Sequence, residues 1–259
     1  MDLRARQALV TGASAGIGRA TALALAKRGA RVTVLARSHE ALETLLPELR
    51  QAGAEEAWAL AADLDDREGL RKTVDEHLRQ RGPVHVLVNN AGGPKPGPIL
   101  EAQEEDFLAA FARHLLAPHL LVRLVLPGMR EAGFGRIVNV ISTSVREPIP
   151  NLGVSNTTRA AVAGWAKTLS RELPPGVTIN NVLPGFTRTG RTEALKKGNA
   201  EKTGKTPEEI EAEWIKVIPE GRIAEPSEIA EVIAFLASPA ASYVRGQSLA
   251  ADGGRLQST

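Results

Sequence analysis

No cysteine occurs anywhere in the chain, which excludes a disulfide framework and leaves no thiolate for metal binding or nucleophilic attack. Aromatic residues are scarce, at 3% of the sequence, and there is a single tyrosine, Tyr243. An excess of one charge is also missing: 32 basic residues face 30 acidic ones, and no block of five or six like charges appears. That balance excludes the basic stripe of a nucleic-acid-binding protein. Long apolar runs are absent as well. The longest stretch, Leu115 to Met129, is interrupted by His119, Arg123 and Pro127 and is too short to span a bilayer. Met1 to Gln7 are charged and run straight into an apolar segment, so no secretory signal is expected and the expected compartment is the cytoplasm.

What is present is a globular composition, 43% hydrophobic and 24% charged over 259 residues, with ample chain for a core. Short apolar runs at Ala8–Thr11, Val32–Leu35, Ala57–Ala61, Val84–Val88, Ile137–Ile141 and Val177–Val182 alternate with helical patterns, the signature of repeated βαβ units. The runs are nearly continuous, as in parallel strands covered on both faces. The expected fold is therefore α/β: a doubly wound, Rossmann-type parallel sheet in three layers, one domain over residues 1–259. Gly16 to Arg28 reads as the first helix, with Gly29 as its C-cap. Thr187 to Glu225 is long and rich in Lys and Glu, and is expected to form an ordered lid. Thr206, Pro207 and Glu209 mark a helix start there. Trp214 and Ile218, four apart on that helix, either face a substrate or anchor the helix to the core, the simpler expectation.

Thr11-Gly12-Ala13-Ser14-Ala15-Gly16-Ile17-Gly18 lies between a strand and a helix, where glycines let the backbone approach a pyrophosphate. Further along come Asp63-Leu64, Asn89-Asn90-Ala91-Gly92, Ser142, Asn180, Pro184-Gly185 and Asp252-Gly253-Gly254. In that ordered set the chain resembles the short-chain dehydrogenase/reductase family over essentially its whole length, and within it the 3-oxoacyl reductases. The resemblance implies a cofactor-binding set. Gly12, Ser14, Gly16, Ile17 and Gly18 form the glycine turn, and Asp63 with Leu64 would meet the adenine. Asn89, Ala91 and Gly92 would run along the ribose and nicotinamide side, while Pro184, Gly185, Thr187 and Thr189 would cover the carboxamide. Asn90 and Gly92 also suit a tight turn after a buried strand.

Cofactor choice turns on the end of the second strand, where an acid would bond a free ribose hydroxyl and repel a 2′-phosphate. The residues are Ala36, Arg37 and Ser38. Arg37 offers a charge-assisted fork to a phosphate, so NADP is expected over NAD, although Ala15 stands where phosphate-binding relatives often carry a second basic residue.

The family's chemistry, by the same resemblance, uses a Ser, a Tyr, a Lys four residues later and an Asn on an earlier helix. Only Ser142 is kept. Ser155 stands at the Tyr position, Arg159 at the Lys position and His114 at the Asn position. A serine is a far weaker acid than tyrosine and shorter by a ring, so Ser155 would need a water to reach a substrate oxygen. Arg159 keeps a positive charge and donates to ribose hydroxyls but relays no proton. His114 is the one substitute whose ordinary pKa lies near neutrality. It either replaces the missing acid, through a water or Ser155, or is a helix histidine satisfied by a neighbouring carbonyl. Lys95 is a further candidate cation, or a solvated loop lysine.

The expected activity is NADP-linked hydride transfer between nicotinamide and a carbonyl or secondary alcohol, with Ser142 polarising the oxygen. The alternative is a catalytically impaired dinucleotide-binding homologue acting as a sensor or partner subunit. No metal site and no nucleic-acid or membrane partner is expected. The resemblance implies a homo-oligomer, a tetramer or dimer, packed through the helix from Ser155 to Leu173, where Ala160, Ala161, Ala163 and Gly164 permit close approach.

Overall fold

The computed structural model describes residues 1–258. In chain order its elements are β1 (Gln7–Thr11), α1 (Gly16–Ala26), β2 (Arg31–Ala36), α2 (His39–Glu43), α3 (Leu45–Ala52), β3 (Ala57–Ala61) and α4 (Arg67–Arg81). β4 (Val86–Asn89), α5 (Glu104–Phe111), α6 (Ala117–Glu131), β5 (Gly135–Val140) and α7 (Gly153–Glu172) follow. The chain continues through β6 (Val177–Pro184), α8 (Gly190–Thr203), α9 (Pro207–Lys216), α10 (Pro226–Ala237) and β7 (Ser248–Ala251).

All seven strands pair in parallel in the order β3-β2-β1-β4-β5-β6-β7. β1, β2, β4 and β5 are buried almost throughout, because helices cover both faces. One apolar layer joins α1, α3 and α10 to the sheet through Leu25, Leu49 and Ile233. The other joins α4, α6 and α7 through Val74, Leu121, Met129 and Ala166. The doubly wound three-layer fold is thus as expected from the alternating runs. The strand order reverses between β1 and β4, and the crevice beyond the carboxyl ends of those two strands is where open α/β sheets bind ligands.

Several boundaries differ from the sequence reading. α1 ends at Ala26, and Gly29 makes the left-handed turn at φ 77°. β4 starts at Val86, after Val84 and His85 have led in from Pro83. α5 and α6 are joined by a π turn at Ala112–Leu116. Together they form a run of 28 residues, Glu104–Glu131, long and apolar enough by length and composition to cross a membrane, which corrects the shorter stretch read from the sequence. The buried face of α6, with Ala117, Leu121, Val125 and Met129, packs on the sheet, as a core helix does.

Candidate functional site

The site begins where β1 turns into α1. Gly12 adopts φ 58°, and a Cβ there would lie 2.6 Å from the Asn90 carbonyl oxygen. A Cβ on Gly18 would fall 2.2 Å from the Gly12 carbonyl oxygen, so helix and turn touch at a point only glycine permits. Asn90 stitches the ends of β1 and β4 together. Its backbone N–H donates to Thr11 Oγ1 at 2.9 Å, and its side-chain amide donates to the Thr11 and Gly12 carbonyls. α1 opens at Ala15 with no side-chain cap and no acid in its first turn, which leaves its first N–H groups free to face an anion.

This turn forms one wall of a cleft of about 1050 Å³. Of the cofactor residues expected from the sequence, Gly12, Ser14, Gly16, Ile17, Arg37, Asp63, Leu64, Ala91, Gly92, Pro184, Gly185, Thr187 and Thr189 line it. Ser142, Ser155 and Arg159 line the same cleft. Arg37 is exposed at the end of β2, and Asp63 accepts a bond from the Asp65 N–H at the end of β3.

Three expected residues do not line the cleft. Gly18 is buried beneath the turn, a packing position. Asn89 lies in a row of side chains crossing the sheet in register: it donates to Asn139 at 2.8 Å, Asn139 to Asn181 at 2.9 Å, and Asn181 to Ser248 Oγ at 3.0 Å. His114 sits in the π turn, 5% exposed, with Nε2 unpartnered. Desolvation first, then the positive charges of Arg159 and Arg113, lower its pKa to about 2, against a hydrogen bond with the Gly92 backbone that raises it. A histidine held neutral to that point donates no proton at neutral pH, so the acid role read from the sequence does not fit its surroundings.

Ser142 follows β5, and its Oγ accepts from the Ser144 N–H at 3.1 Å. Arg159, 7% exposed on α7, donates to the Val140 carbonyl at 2.9 Å. Burial, with Arg191 nearby, lowers its pKa to about 10, so it remains cationic at neutral pH. Arg113 pairs with Asp65.

Sequence reasoning missed part of the opposite wall. Arg191, in the first turn of α8, donates to the Pro94 carbonyl. Lys202 from the end of α8 and Arg255 from the tail after β7 also line the cleft. Phe186 stacks on Trp214, with ring centres 4.6 Å apart and planes at 10°, and the Arg255 guanidinium lies over Phe186. Trp214 thus faces the cleft. Ile218 lies beyond the end of α9 and is buried, which corrects its placement on that helix. The only signal in the sequence for Arg191 was its position two residues after Thr189, at the opening of the segment expected to form a lid.

A family model described as Enoyl-(Acyl carrier protein) reductase matches residues 12–255. The 3-oxoacyl-(acyl-carrier-protein) reductase of Vibrio cholerae is 35% identical over 257 residues, with 98% of each chain covered. The chain belongs to the short-chain dehydrogenase/reductase family. Another member, the 3-oxoacyl-(acyl-carrier-protein) reductase of Synechocystis sp., is 38% identical over 257 residues, covering 97% of each chain. Among solved family structures, the L-sorbose reductase of Gluconobacter frateurii, complexed with NADPH and L-sorbose, aligns with TM-score 0.93 at 30% identity, covering 100% of this chain and 99% of that one. A variant of actinorhodin polyketide ketoreductase with NADPH aligns at 0.92 and 35% identity over 100% of each chain.

Proposed function

We propose that this chain is an NADPH-linked oxidoreductase of the cytoplasm, acting on a carbonyl or secondary alcohol through an active site that departs from the family pattern at Ser155, Arg159 and His114. The observation that carries the reading is the uncapped start of α1 facing a glycine turn, with Arg37 unpaired at the end of β2 and no acid beside it. These residues fit a 2′-phosphorylated dinucleotide: the turn admits a pyrophosphate that a Cβ would exclude, and Arg37 meets a phosphate that an acid would repel. Bound there, the dinucleotide supplies a hydride.

The remaining roles belong to the chain. Arg159 donates to ribose hydroxyls while anchored on Val140, and Pro184 to Thr189 close over the carboxamide. Ser142, its Oγ fixed by the Ser144 N–H, donates to the substrate oxygen. Ser155 orders a water beside that oxygen, so the proton arrives from solvent. A general acid in direct contact is typically worth about 10²–10⁴ in rate, and this site works without that factor. Residues 187–225 act as the lid. The exposed Ala160 and Gly164 of α7, where a Cβ on Gly164 would meet nothing, form the face through which copies associate, which sedimentation at micromolar concentration checks.

Calorimetric titration with NADPH and NADH, followed by turnover on ketones and alcohols, tests the function. NADPH is expected to bind more tightly, and Arg37→Ala to remove about ten- to a hundredfold of that preference, the worth of a charge-assisted hydrogen bond. NADH bound as tightly as NADPH would sink the cofactor assignment, and tight NADPH binding without turnover across the panel would count against hydride transfer.

A further inference from the structure

Seven charged side chains line the cleft: Arg37, Asp63, Arg113, Arg159, Arg191, Lys202 and Arg255. The one acid, Asp63, stands at the end of β3, on the adenine side, where Arg113 is already paired with Asp65. Toward the lid, Arg159, Arg191, Lys202 and Arg255 form no ion pair among the described residues. Two carboxylates lie near Arg255 outside the lining, and both are committed to backbone N–H groups: Glu147 to those of Gln257 and Ser258, and Asp252 to those of Gly254 and Leu256.

Gathering unpaired cations in a partly buried space is costly unless an anion joins them. Arg191 is the clearest case. It is half-buried, and burial lowers its pKa. One arm of its fork holds the Pro94 carbonyl, and its guanidinium lies within 3.5 Å of where a Gly93 Cβ would stand. Four of the five donors of a guanidinium stay uncommitted by that single bond, in a planar fork that matches a carboxylate. The same cleft carries apolar lining as well, with Ile149, Leu152, Leu195 and the Phe186–Trp214 stack.

We infer that the substrate of this site is a carbonyl compound bearing a carboxylate, which Arg191 holds in a bidentate grip. This rests on the dinucleotide reading and names the substrate class for the same site. The contact would also couple recognition to closure, since Arg191 belongs to α8 of the lid and already rests on the loop after β4. A neutral oxoester or oxothioester leaves that fork without a partner, whereas an oxo acid fills it.

The test uses the full chain saturated with NADPH and calorimetric titration with a series of 2-oxo and 3-oxo acids of increasing chain length. Their methyl esters, acetoacetyl-N-acetylcysteamine as a neutral thioester, and dihydroxyacetone phosphate complete the set. The acid that binds best is expected to bind about ten- to a hundredfold more tightly than its own ester. Arg191→Met should bring the two to parity with NADPH affinity held within about threefold, and Arg191→Lys should restore part of the gap, because a point charge replaces the fork. An ester or thioester bound as tightly as the best acid would overturn the inference. So would no measurable acid binding anywhere in the series, or an acid preference that survives Arg191→Met. Dihydroxyacetone phosphate preferred over every acid would assign the site to phosphate instead. Should wild-type protein bind no NADPH, the cofactor reading fails, and the acid-against-ester comparison on cofactor-free protein still decides the anion site.

Discussion

His114 shows how little residue type alone decides. Its ordinary pKa made it the natural stand-in for a missing acid, yet its position in the π turn removes it from water and sets it near three arginines, Arg159, Arg113 and Arg191. Both effects disfavour the charged ring. Being neutral across the working range, it contributes no break to the pH dependence of kcat between about pH 5 and 8. His114→Gln, which keeps a polar side chain there, should leave turnover within a few-fold and the pH profile unchanged in shape. Loss of an ionisation near neutrality in that variant would show that the histidine titrates in the working enzyme after all. Arg159 is the contrasting residue. Its position relative to Ser155 could be read from the sequence, and the structure brings both to the cleft, because both lie on the inner side of one helix, α7.

At the scale of elements, residues 187–225 are clasped by ion pairs between two helices. Lys196 of α8 reaches Glu193 at 2.9 Å and Glu211 of α9 at 2.7 Å. Arg188, just before α8, reaches Glu211 and Glu225. Glu211 is shared by both cations, and its pKa is lowered first by its bond to Lys196. Glu211→Gln should therefore loosen α8 and α9 from each other, speeding tryptic cleavage in residues 190–216 several-fold while the unfolding midpoint of the whole chain stays unchanged. Equal cleavage rates would place the hold in the Phe186–Trp214 stack instead. That segment also marks where the sequence stopped being legible. The Thr206, Pro207 and Glu209 start was readable and forms a capping box, with both reciprocal bonds present, because capping depends on a few adjacent residues. Six of the seven strands were readable for the same local reason; β7, short and only partly buried, made no apolar run that stood out. The Asn89–Asn139–Asn181 row and the presence of Arg191 and Arg255 in one cleft were not readable, since each joins residues far apart in the chain and depends on strand register and on how α8 folds back.

Over the whole molecule, three buried histidines tie stability to pH. His77 lies among Gln7, Thr33 and Trp58, His85 accepts the Gln7 N–H on Nδ1, and His114 lies under the cleft. Burial, the leading cause in each case, lowers the first two to about 4 and the third to about 2, from an ordinary 6.5. The unfolded chain takes up these protons near pH 6.5 while the folded chain refuses them. Their stabilising effect is thus complete above 6.5 and is lost as pH falls toward 4, with His114 continuing to lose it below that. Each histidine contributes at most about 1.4 kcal/mol per pH unit, less where solvent reaches the ring. Paired carboxylates such as Glu228, lowered from 4.5 to about 2, lose their contribution only at lower pH. The interval between pH 6.5 and 5 therefore isolates the histidines. Urea midpoints measured there at several protein concentrations, to separate unfolding from dissociation of copies, should fall steadily with acidification. The slope should be shallower in His85→Gln, whose side chain titrates in neither state. A midpoint constant down to pH 5 would mean that these rings accept protons without unfolding the chain, and that the interior around β1 and α4 admits charge more readily than its packing implies.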